Sequence, residues 1–232
     1  MSSPPSRPLS PVLILDAYQP PPDTGLDVRH ADDTLLIVNK PSGLLSVPGR
    51  GEHKSDCLVS RVQAVYPDAL TVHRLDLGTS GLVVFGRGDA AQSLLSRLFR
   101  DRLVHKRYVA VVAGALPHAQ GEIALPLIAD WPNRPLQKVD HVEGKPSLTR
   151  YWRREVDAAA DTSRVELEPV TGRSHQLRVH LQAIGHPIVG DELYAPEVIR
   201  QAAPRLLLHA WRIELPHPLT GQTLVCEAPA PF

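Results

Sequence analysis

The sequence contains few cysteines, few aromatic side chains and no long hydrophobic run. Cys57 and Cys226 are the only cysteines in 232 residues, so neither a disulfide scaffold nor a cysteine-based metal site is indicated. Hydrophobic runs such as those at 35–38 and 82–85 are far shorter than the roughly 20 residues that a membrane helix requires. We therefore expect a globular protein with two reduced thiols and no membrane association.

The net charge is zero, because 25 Lys and Arg balance 25 Asp and Glu. This balance argues against a globally basic nucleic-acid-binding protein, but it allows a local basic face. Lys and Arg are concentrated in residues 97–107 and in residues 131–154, where Trp131, Tyr151 and Trp152 lie between them. Basic side chains interleaved with aromatic ones favour, to a modest degree, a groove that binds a polyanion.

Several widespread catalytic motifs are missing. The sequence has no P-loop and no G-x-G-x-x-G followed by a helix, and G-T-S-G at 78–81 differs from the G-x-S-x-G nucleophile elbow. His175 and His180 are possible metal ligands, but their spacing places them on different faces of a helix. We therefore expect neither a cofactor nor a metal ion.

Proline is dense near the N-terminus, with P-P-P at 20–22. Because few apolar residues anchor this part, it predicts a flexible, Pro-rich extension over residues 1–32 and a single domain over residues 33–232. The first residues also lack the basic-then-apolar pattern of a signal peptide, which predicts a cytoplasmic protein.

Short apolar segments bounded by turn residues indicate a sheet-rich domain. One helix is expected with Asp89 as its N-cap, and another with Ser174 as its N-cap and Gly185 just after its end. H-P-L-T-G-Q-T-L at 217–224 predicts a hairpin turn. Since strands do not alternate regularly with helices, we expect a mixed α+β fold with a largely antiparallel β-sheet and flanking helices. The predicted strands are 35–38, 81–86, 107–114, 121–125, 148–156, 164–170, 206–215 and 223–228.

The stretch H-R-L-D-L-G-T-S-G at 73–81 places a carboxylate beside a cation at the start of a predicted strand. On this motif alone we favour the simpler interpretation, an Arg74–Asp76 ion pair that pins the turn. The alternative is a reactive carboxylate that a nearby cation keeps ionised, as a nucleophile or general base requires.

Two further residues have both a structural and a functional interpretation. Arg178 lies near the start of a predicted helix, where the dipole favours anions, so its guanidinium needs another partner. A buried carboxylate or an RNA phosphate would suit it. Tyr108 follows a basic cluster in a predicted strand, and it is either a half-buried sheet residue or a platform for a nucleobase.

Five segments together resemble the RNA pseudouridine synthases of the RluA family. The combination of H-R-L-D-x-x-T-S-G with T-G-R-S-H-Q-L-R-x-H is highly specific. The resembling segments are 39–49, 73–85, 106–114, 171–194 and 205–221. The resemblance runs from about residue 33 to the C-terminus and implies the pseudouridine synthase fold without an S4-like domain. D-W-P-N-R-P-L-Q-K-V at 130–139 resembles the subgroup that modifies a uridine in large-subunit rRNA and another in the tRNA anticodon stem-loop.

The resemblance implies a role for several individual residues. Asp76 would be the catalytic aspartate, which attacks the nucleotide or abstracts a proton as the uracil detaches. Arg178 would pair with Asp76, and Tyr108 would pack on the target base. Arg74 would enter the RNA and fill the space that the flipped uridine leaves.

The remaining implied residues are on the RNA-binding side of the site. His73 and Arg173 would contact RNA, and Leu208 would wall the pocket. The implied partner is structured RNA, with no membrane, no required protein partner and a monomeric enzyme. Two alternatives from other classes remain: a non-catalytic RNA-binding module, and a hydrolase that uses Asp76 on free nucleosides.

Overall fold

A computed structural model describes residues 18–232, with only the backbone at Glu52. The expected α+β class is confirmed. The strands are β1 (Val28–Ala31), β2 (Leu35–Lys40), β3 (Ala69–Thr71), β4 (Ser80–Arg87), β5 (His105–Ala113), β6 (Gln120–Ile123), β7 (Leu127–Ala129), β8 (Gln137–Val139), β9 (Thr149–Asp157), β10 (Thr162–Pro169), β11 (Leu208–Pro216) and β12 (Thr223–Glu227). The helices are α1 (Leu58–Val65), α2 (Gly88–Arg100), α3 (Gln176–Ala183) and α4 (Glu197–Gln201), with short 3₁₀ turns at Glu52–Lys54 and Trp131–Asn133.

In the described chain, one large sheet has the order β1-β2-β4-β11-β5-β10-β9-β6, with β12 added to β11 and β3 added to β4. Its paired strands are antiparallel except β4 and β11, which run parallel where Ser80 and Gly81 face His209 and Ala210. β7 and β8 form a separate hairpin. No helix among the described residues is long and apolar enough to span a bilayer.

The central strands bury both of their faces. On β2, Leu35 and Ile37 belong to a cluster with Leu95 of α2, whereas Leu36 and Val38 belong to the opposite cluster with residues of α1 and α3. Successive side chains of a strand point to opposite faces, so one short apolar run supplies both cores. β10 instead alternates buried and half-buried residues, as the sequence predicts for a strand with one wet face.

Every predicted strand is present, with ends shifted by at most two residues, and the 217–224 turn joins β11 to β12. Both predicted N-caps are wrong. α2 begins at Gly88 directly after β4, so Asp89 lies within its first turn, where a carboxylate suits the dipole. At α3 the N-cap is His175, and the side chain of Gln176, rather than that of Ser174, accepts the Arg173 N–H.

The helix α3 ends as predicted, because Gly185 follows it with φ +85°. The elements that the sequence did not predict are β1, α1, β3, the β7–β8 hairpin and α4.

Part of the expected N-terminal extension packs on the domain. Residues 1–17 of it lie outside the described residues. Tyr18 is buried in the main core and its hydroxyl donates to the Asp56 carbonyl at 2.8 Å, while Arg61 donates to the Pro21 carbonyl at 2.7 Å. β1 then pairs with β2. Residues 18–31, which precede the predicted domain start at residue 33, therefore contact the domain.

The loop that carries Asp76 crosses a gap at the edge of β4. One end of β4 pairs with β3 and the other with β11, which leaves a ladder position open between them. His73 fills that position, because its Nε2 accepts the Val84 N–H at 3.0 Å and its ring stacks on Phe99. The chain from 73 to 79 is therefore fixed to the sheet at the point where β4 changes partners.

Gly81 permits the close approach of β4 and β11. Its φ is +116°, and a Cβ at this position would lie 2.3 Å from the Ala210 carbonyl oxygen. Only glycine fits both the backbone conformation and the space.

We predict that Gly81→Ala lowers the free energy of unfolding by more than about 3 kcal/mol, since strain and a backbone clash add. The matched control is Gly221→Ala, at φ +71° with no atom within 4 Å of the added Cβ, which should cost about 1 kcal/mol from strain alone. Urea denaturation of both variants measures the difference. Equal losses of unfolding free energy would show that the contact with the Ala210 backbone does not add to the cost of Gly81→Ala.

Burial lowers the pKa of His73 from 6.5 to about 3, with a further contribution from the Lys106 charge. As the pH falls, the unfolded chain therefore binds a proton at His73 before the folded chain does. The contribution of His73 to the free energy of unfolding is complete above pH 6.5 and is lost progressively towards pH 3.

We predict that His73→Gln, whose amide oxygen can still accept the Val84 N–H, reduces the loss of stability between pH 7 and pH 4. Unfolding free energies at both pH values provide the measurement. An identical pH dependence in the wild type and the variant would refute a buried neutral histidine.

Candidate active site

A pocket of about 560 Å³ opens beside the Asp76 loop, between β5, β11 and the segment that leads into α3. All seven residues singled out in the sequence border this pocket: His73, Arg74, Asp76, Tyr108, Arg173, Arg178 and Leu208. They come from parts of the chain that are up to 135 residues apart, and the fold brings them together. The volume is in the range of small-ligand sites.

The backbone around Asp76 is held by the loop that follows β2. Ser46 Oγ donates to the Leu75 carbonyl at 2.8 Å and accepts the Leu75 N–H at 3.1 Å. On the other side of Asp76, the Leu77 carbonyl accepts the Gly43 N–H at 2.9 Å. The carboxylate thus projects from a loop whose backbone is fixed on both sides of it.

Lys40 adds a buried charge beneath this loop. Its side chain is fully buried, and Nζ donates to the carbonyl oxygens of Pro41, Leu44 and Leu77 at 2.9, 2.7 and 3.2 Å. Burial lowers its pKa to about 7, and the charge of Asp76 opposes that shift. The three carbonyl partners explain how an ammonium group is accommodated there.

Arg178 connects two carboxylates. Its Nε and Nη2 donate to the two oxygens of Asp191 at 2.8 and 2.7 Å, and its Nη1 donates to Asp76 Oδ2 at 3.3 Å. Asp191 is fully buried, whereas the Asp76 side chain keeps 26% of its surface exposed towards the pocket. The bidentate pair fixes the guanidinium plane, so the third N–H is directed at Asp76.

This arrangement favours a permanently charged arginine. Burial disfavours the charged guanidinium, but the hydrogen bonds and the charge of Asp191, together with Asp76, raise the pKa of Arg178 above its usual range. Asp191 Oδ1 also accepts the N–H groups of Leu193 and Tyr194, at 2.9 and 3.1 Å. A buried carboxylate with several donors is a rigid anchor.

His175 approaches Asp76 from the other side. Its Nε2 lies 3.8 Å from Asp76 Oδ1, and its Nδ1 lies 2.6 Å from the Tyr194 hydroxyl. That hydroxyl accepts the Gln137 N–H, and in the tautomer in which its own hydrogen bonds to Nδ1, the histidine hydrogen is on Nε2 and faces Asp76. Burial lowers the pKa of His175, which favours the neutral ring.

The backbone of His175 has φ +53°, in the left-handed region that non-glycine residues rarely adopt. Residues in such conformations are concentrated at functional sites, where surrounding contacts hold them. Here the Tyr194 hydroxyl provides such a contact. His180, the other histidine considered as a metal ligand, bonds elsewhere, to Ser147 and Thr149.

Tyr108 and Leu208 form the apolar wall of the pocket. Both are buried, on the neighbouring strands β5 and β11. Burial raises the pKa of Tyr108, and the negative charge of Asp76 adds to this, so its hydroxyl stays protonated at neutral pH. A flat ring and a branched side chain suit the face of a planar base.

Arg74, Arg173 and His73 occupy different environments. Arg74 is exposed at the rim and, among the described residues, forms no ion pair with Asp76, so the turn-pinning pair is absent. Arg173 is exposed, and its guanidinium forms only long contacts, of 3.4 Å, with the Pro146 carbonyl among the described residues. His73 holds β4, and its predicted RNA contact remains a prediction.

Three residues of the site were not assigned a role from the sequence: Lys40, Asp191 and Tyr194. They lie in N-K-P-S-G and G-D-E-L-Y, which the resemblance covers, but neither motif reveals its partner. The clue to Asp191 was the unexplained arginine at the start of α3, which called for a buried carboxylate.

Comparisons with known proteins agree with this site. The family described as RNA pseudouridylate synthase matches residues 34–183. The Dual-specificity RNA pseudouridine synthase RluA of Escherichia coli O6:H1 is 52% identical over 219 residues, which cover 94% of this chain and 99% of that protein. The protein of the same name from Vibrio parahaemolyticus is 53% identical over 204 residues, 87% of this chain and 82% of its own.

Solved structures with this fold include two human proteins. Human RNA Pseudouridylate Synthase Domain Containing 1 has a TM-score of 0.76 at 29% identity, covering 92% of this chain and 87% of that one. Human RNA Pseudouridylate Synthase Domain Containing 4 has a TM-score of 0.71 at 22% identity, covering 94% and 92%, and shows the shared fold. From its fold, its pocket and these similarities, the chain belongs to the RNA pseudouridylate synthase family.

Proposed function

We propose that this chain isomerises uridine to pseudouridine in structured RNA, with Asp76 as the catalytic carboxylate. The observation that carries the proposal is a pocket-facing carboxylate fixed through its backbone by the loop after β2 and through its charge by Arg178. Family membership and the similarity to enzymes named pseudouridine synthases support the activity.

The chemistry requires an anionic group and a restrained uracil. The bond from C1′ to N1 breaks, the ring turns, and a bond from C1′ to C5 forms, while N1 gains a proton and C5 loses one. Asp76 can start this either by attacking C1′ or by abstracting a proton from the sugar, and both routes begin with the carboxylate. Arg178 stabilises that negative charge, and Tyr108 and Leu208 contact the uracil face.

The target base must leave its stack to reach Asp76. Extrusion costs a few kcal/mol, which contacts in the vacated space offset in part. Arg74 is exposed beside Asp76 and is not paired with it, so its guanidinium is available to enter the RNA. Arg173 and His73 complete the proposed RNA contacts at the pocket border.

We propose large-subunit rRNA and the tRNA anticodon stem-loop as the substrates. The relatives named dual-specificity enzymes are similar over 94% of this chain, which supports two RNA classes. We also propose a cytoplasmic monomer that needs no protein partner, with residues 33–232 as the catalytic domain and residues 1–32 as an extension. All of the proposed site residues come from one chain. Light scattering after size exclusion tests the oligomeric state.

We predict that Asp76→Asn abolishes pseudouridine formation but leaves RNA binding intact, because it removes the negative charge with little change in volume. Tritium release from RNA labelled at uridine C5 measures activity, and filter binding measures affinity. Asp89→Asn, an exposed carboxylate of α2, is the matched control and should retain full activity.

Full activity of Asp76→Asn would refute the catalytic role. If the wild-type protein binds RNA but forms no pseudouridine, the chain is an RNA-binding module. If the wild-type protein hydrolyses free uridine, it is a nucleoside hydrolase.

We predict that Arg178→Lys folds but has a strongly reduced kcat, because one ammonium cannot reproduce a bidentate pair and a third bond to Asp76. Arg178→Met should be less stable by roughly 3–5 kcal/mol, since it leaves Asp191 buried without its cation. Thermal unfolding and single-turnover kinetics separate the two effects. A lysine variant with wild-type kcat would show that the fork geometry is unimportant.

A further inference from the structure

Lys106 is one of several charged side chains of the pocket that have no role in the site described above. Lys106 on β5 borders the pocket, and among the described residues no carboxylate or carbonyl accepts a hydrogen bond from its ammonium group. Its neighbour Arg107 points to the other face of the strand, where it lies over the Trp152 ring and near Glu166. The contrast singles out Lys106 as a cation left without an anion.

Leaving a largely buried ammonium unpaired is unfavourable. Removal from water lowers the pKa of Lys106, and no compensating charge opposes that shift. Lys40 is more deeply buried but has three carbonyl acceptors. An unpaired charge that is partly removed from water reduces stability, so its presence at a binding pocket indicates a ligand that supplies the missing partner.

The surroundings of Lys106 define where that ligand lies. Lys106 and Tyr108 are two residues apart on β5, so their side chains project from the same face of the strand. Across the pocket, a Cβ built on Gly172 would lie 4.0 Å from Lys106 Nζ. The ammonium therefore lies between the tyrosine and the loop that leads into α3.

The pocket border near Lys106 is predominantly basic. Arg100, Arg102 and Arg173 also line the pocket, and each is exposed. Glu168 is an acidic residue that also lines the pocket, but Arg107 and Arg150 lie 3.7 and 3.8 Å from its carboxylate. In the described loop, the N–H groups of Gly172 and Ser174 also have no protein acceptor.

We propose that Lys106 and the 172–174 loop form a subsite for one phosphate of the substrate RNA, adjacent to the uridine that enters the pocket. This inference rests on the proposed function. The carbonyl oxygens of uracil can accept a hydrogen bond from an ammonium but carry no net charge, whereas each phosphodiester that flanks a nucleoside in the strand carries a full negative charge. A nucleotide whose base contacts Tyr108 therefore brings a phosphate close to Lys106.

The proposal is testable because removing the charge of Lys106 should weaken RNA binding without lowering the stability of the free protein. Lys106→Met keeps the length of the side chain and removes the charge. In the free protein its melting temperature should equal or exceed that of the wild type, because an unpaired buried charge is lost. A fall in melting temperature would indicate a structural role and would overturn the proposal.

RNA affinity is measured in the Asp76→Asn background, so that turnover does not alter the RNA. Lys106→Met should weaken binding by roughly tenfold and should lower the slope of log K against log salt by about 0.7 to 0.9, the amount expected for one phosphate contact. Arg29→Met is the control, since Arg29 is an exposed cation paired with Asp27 outside the pocket. Equal effects in both variants would overturn a specific subsite.

A neutral methylphosphonate, placed in turn on the 5′ and the 3′ side of the target uridine, identifies the phosphate. At one of these positions it should weaken binding to the protein with Lys106 and have no further effect on Lys106→Met. Additive losses at both positions would refute the contact. Pseudouridine formation by the wild type on the same RNA is measured in parallel, so failure of the proposed function is distinguished from failure of the subsite.

Discussion

The guanidinium of Arg178 is the interaction on which the geometry of the site depends. Asp191 holds two of its nitrogens at 2.7 and 2.8 Å, and this leaves Nη1 directed at Asp76. The buried carboxylate of Asp191 and the buried guanidinium of Arg178 compensate each other's charge, because either charge alone would be unfavourable in the protein interior. The Asp76 carboxylate, which keeps 26% of its surface exposed, then gains a fixed positive neighbour.

Asp76 is held from two independent directions. Helix α3 supplies the charge that faces its side chain, while the loop after β2 holds its backbone through Ser46 and Gly43. His73 ties the start of the same loop to β4. A carboxylate that is positioned before the RNA arrives does not have to be ordered during the reaction, which is the physical benefit of preorganisation.

Three cations at the site, the buried Lys40 and Arg178 and the partly buried Lys106, differ in their partners. Lys40 and Arg178 are satisfied by carbonyl or carboxylate oxygens, and they stabilise the site in the absence of RNA. Lys106 has no such acceptor among the described residues, and exposed arginines surround its side of the pocket. Local positive potential thus exists in a chain with no net charge, since acidic residues such as Glu168 are paired with arginines.

The sequence predicted the fold class and eight of the twelve strands of the described chain, because apolar alternation is a local property, and the family resemblance supplied the residues around the pocket. The H-R-L-D motif taken alone favoured Arg74 as the partner of Asp76, because Arg74 is adjacent in the chain, whereas the family resemblance implied Arg178, which is 102 residues away and donates to Asp76. Sequence reasoning without the resemblance would therefore have named the wrong partner. It also misplaced the cap of α3, where Gln176 folds back on the loop. Tertiary structure decided these points, because the pairing of buried charges depends on which groups lose water together, and no local pattern records that.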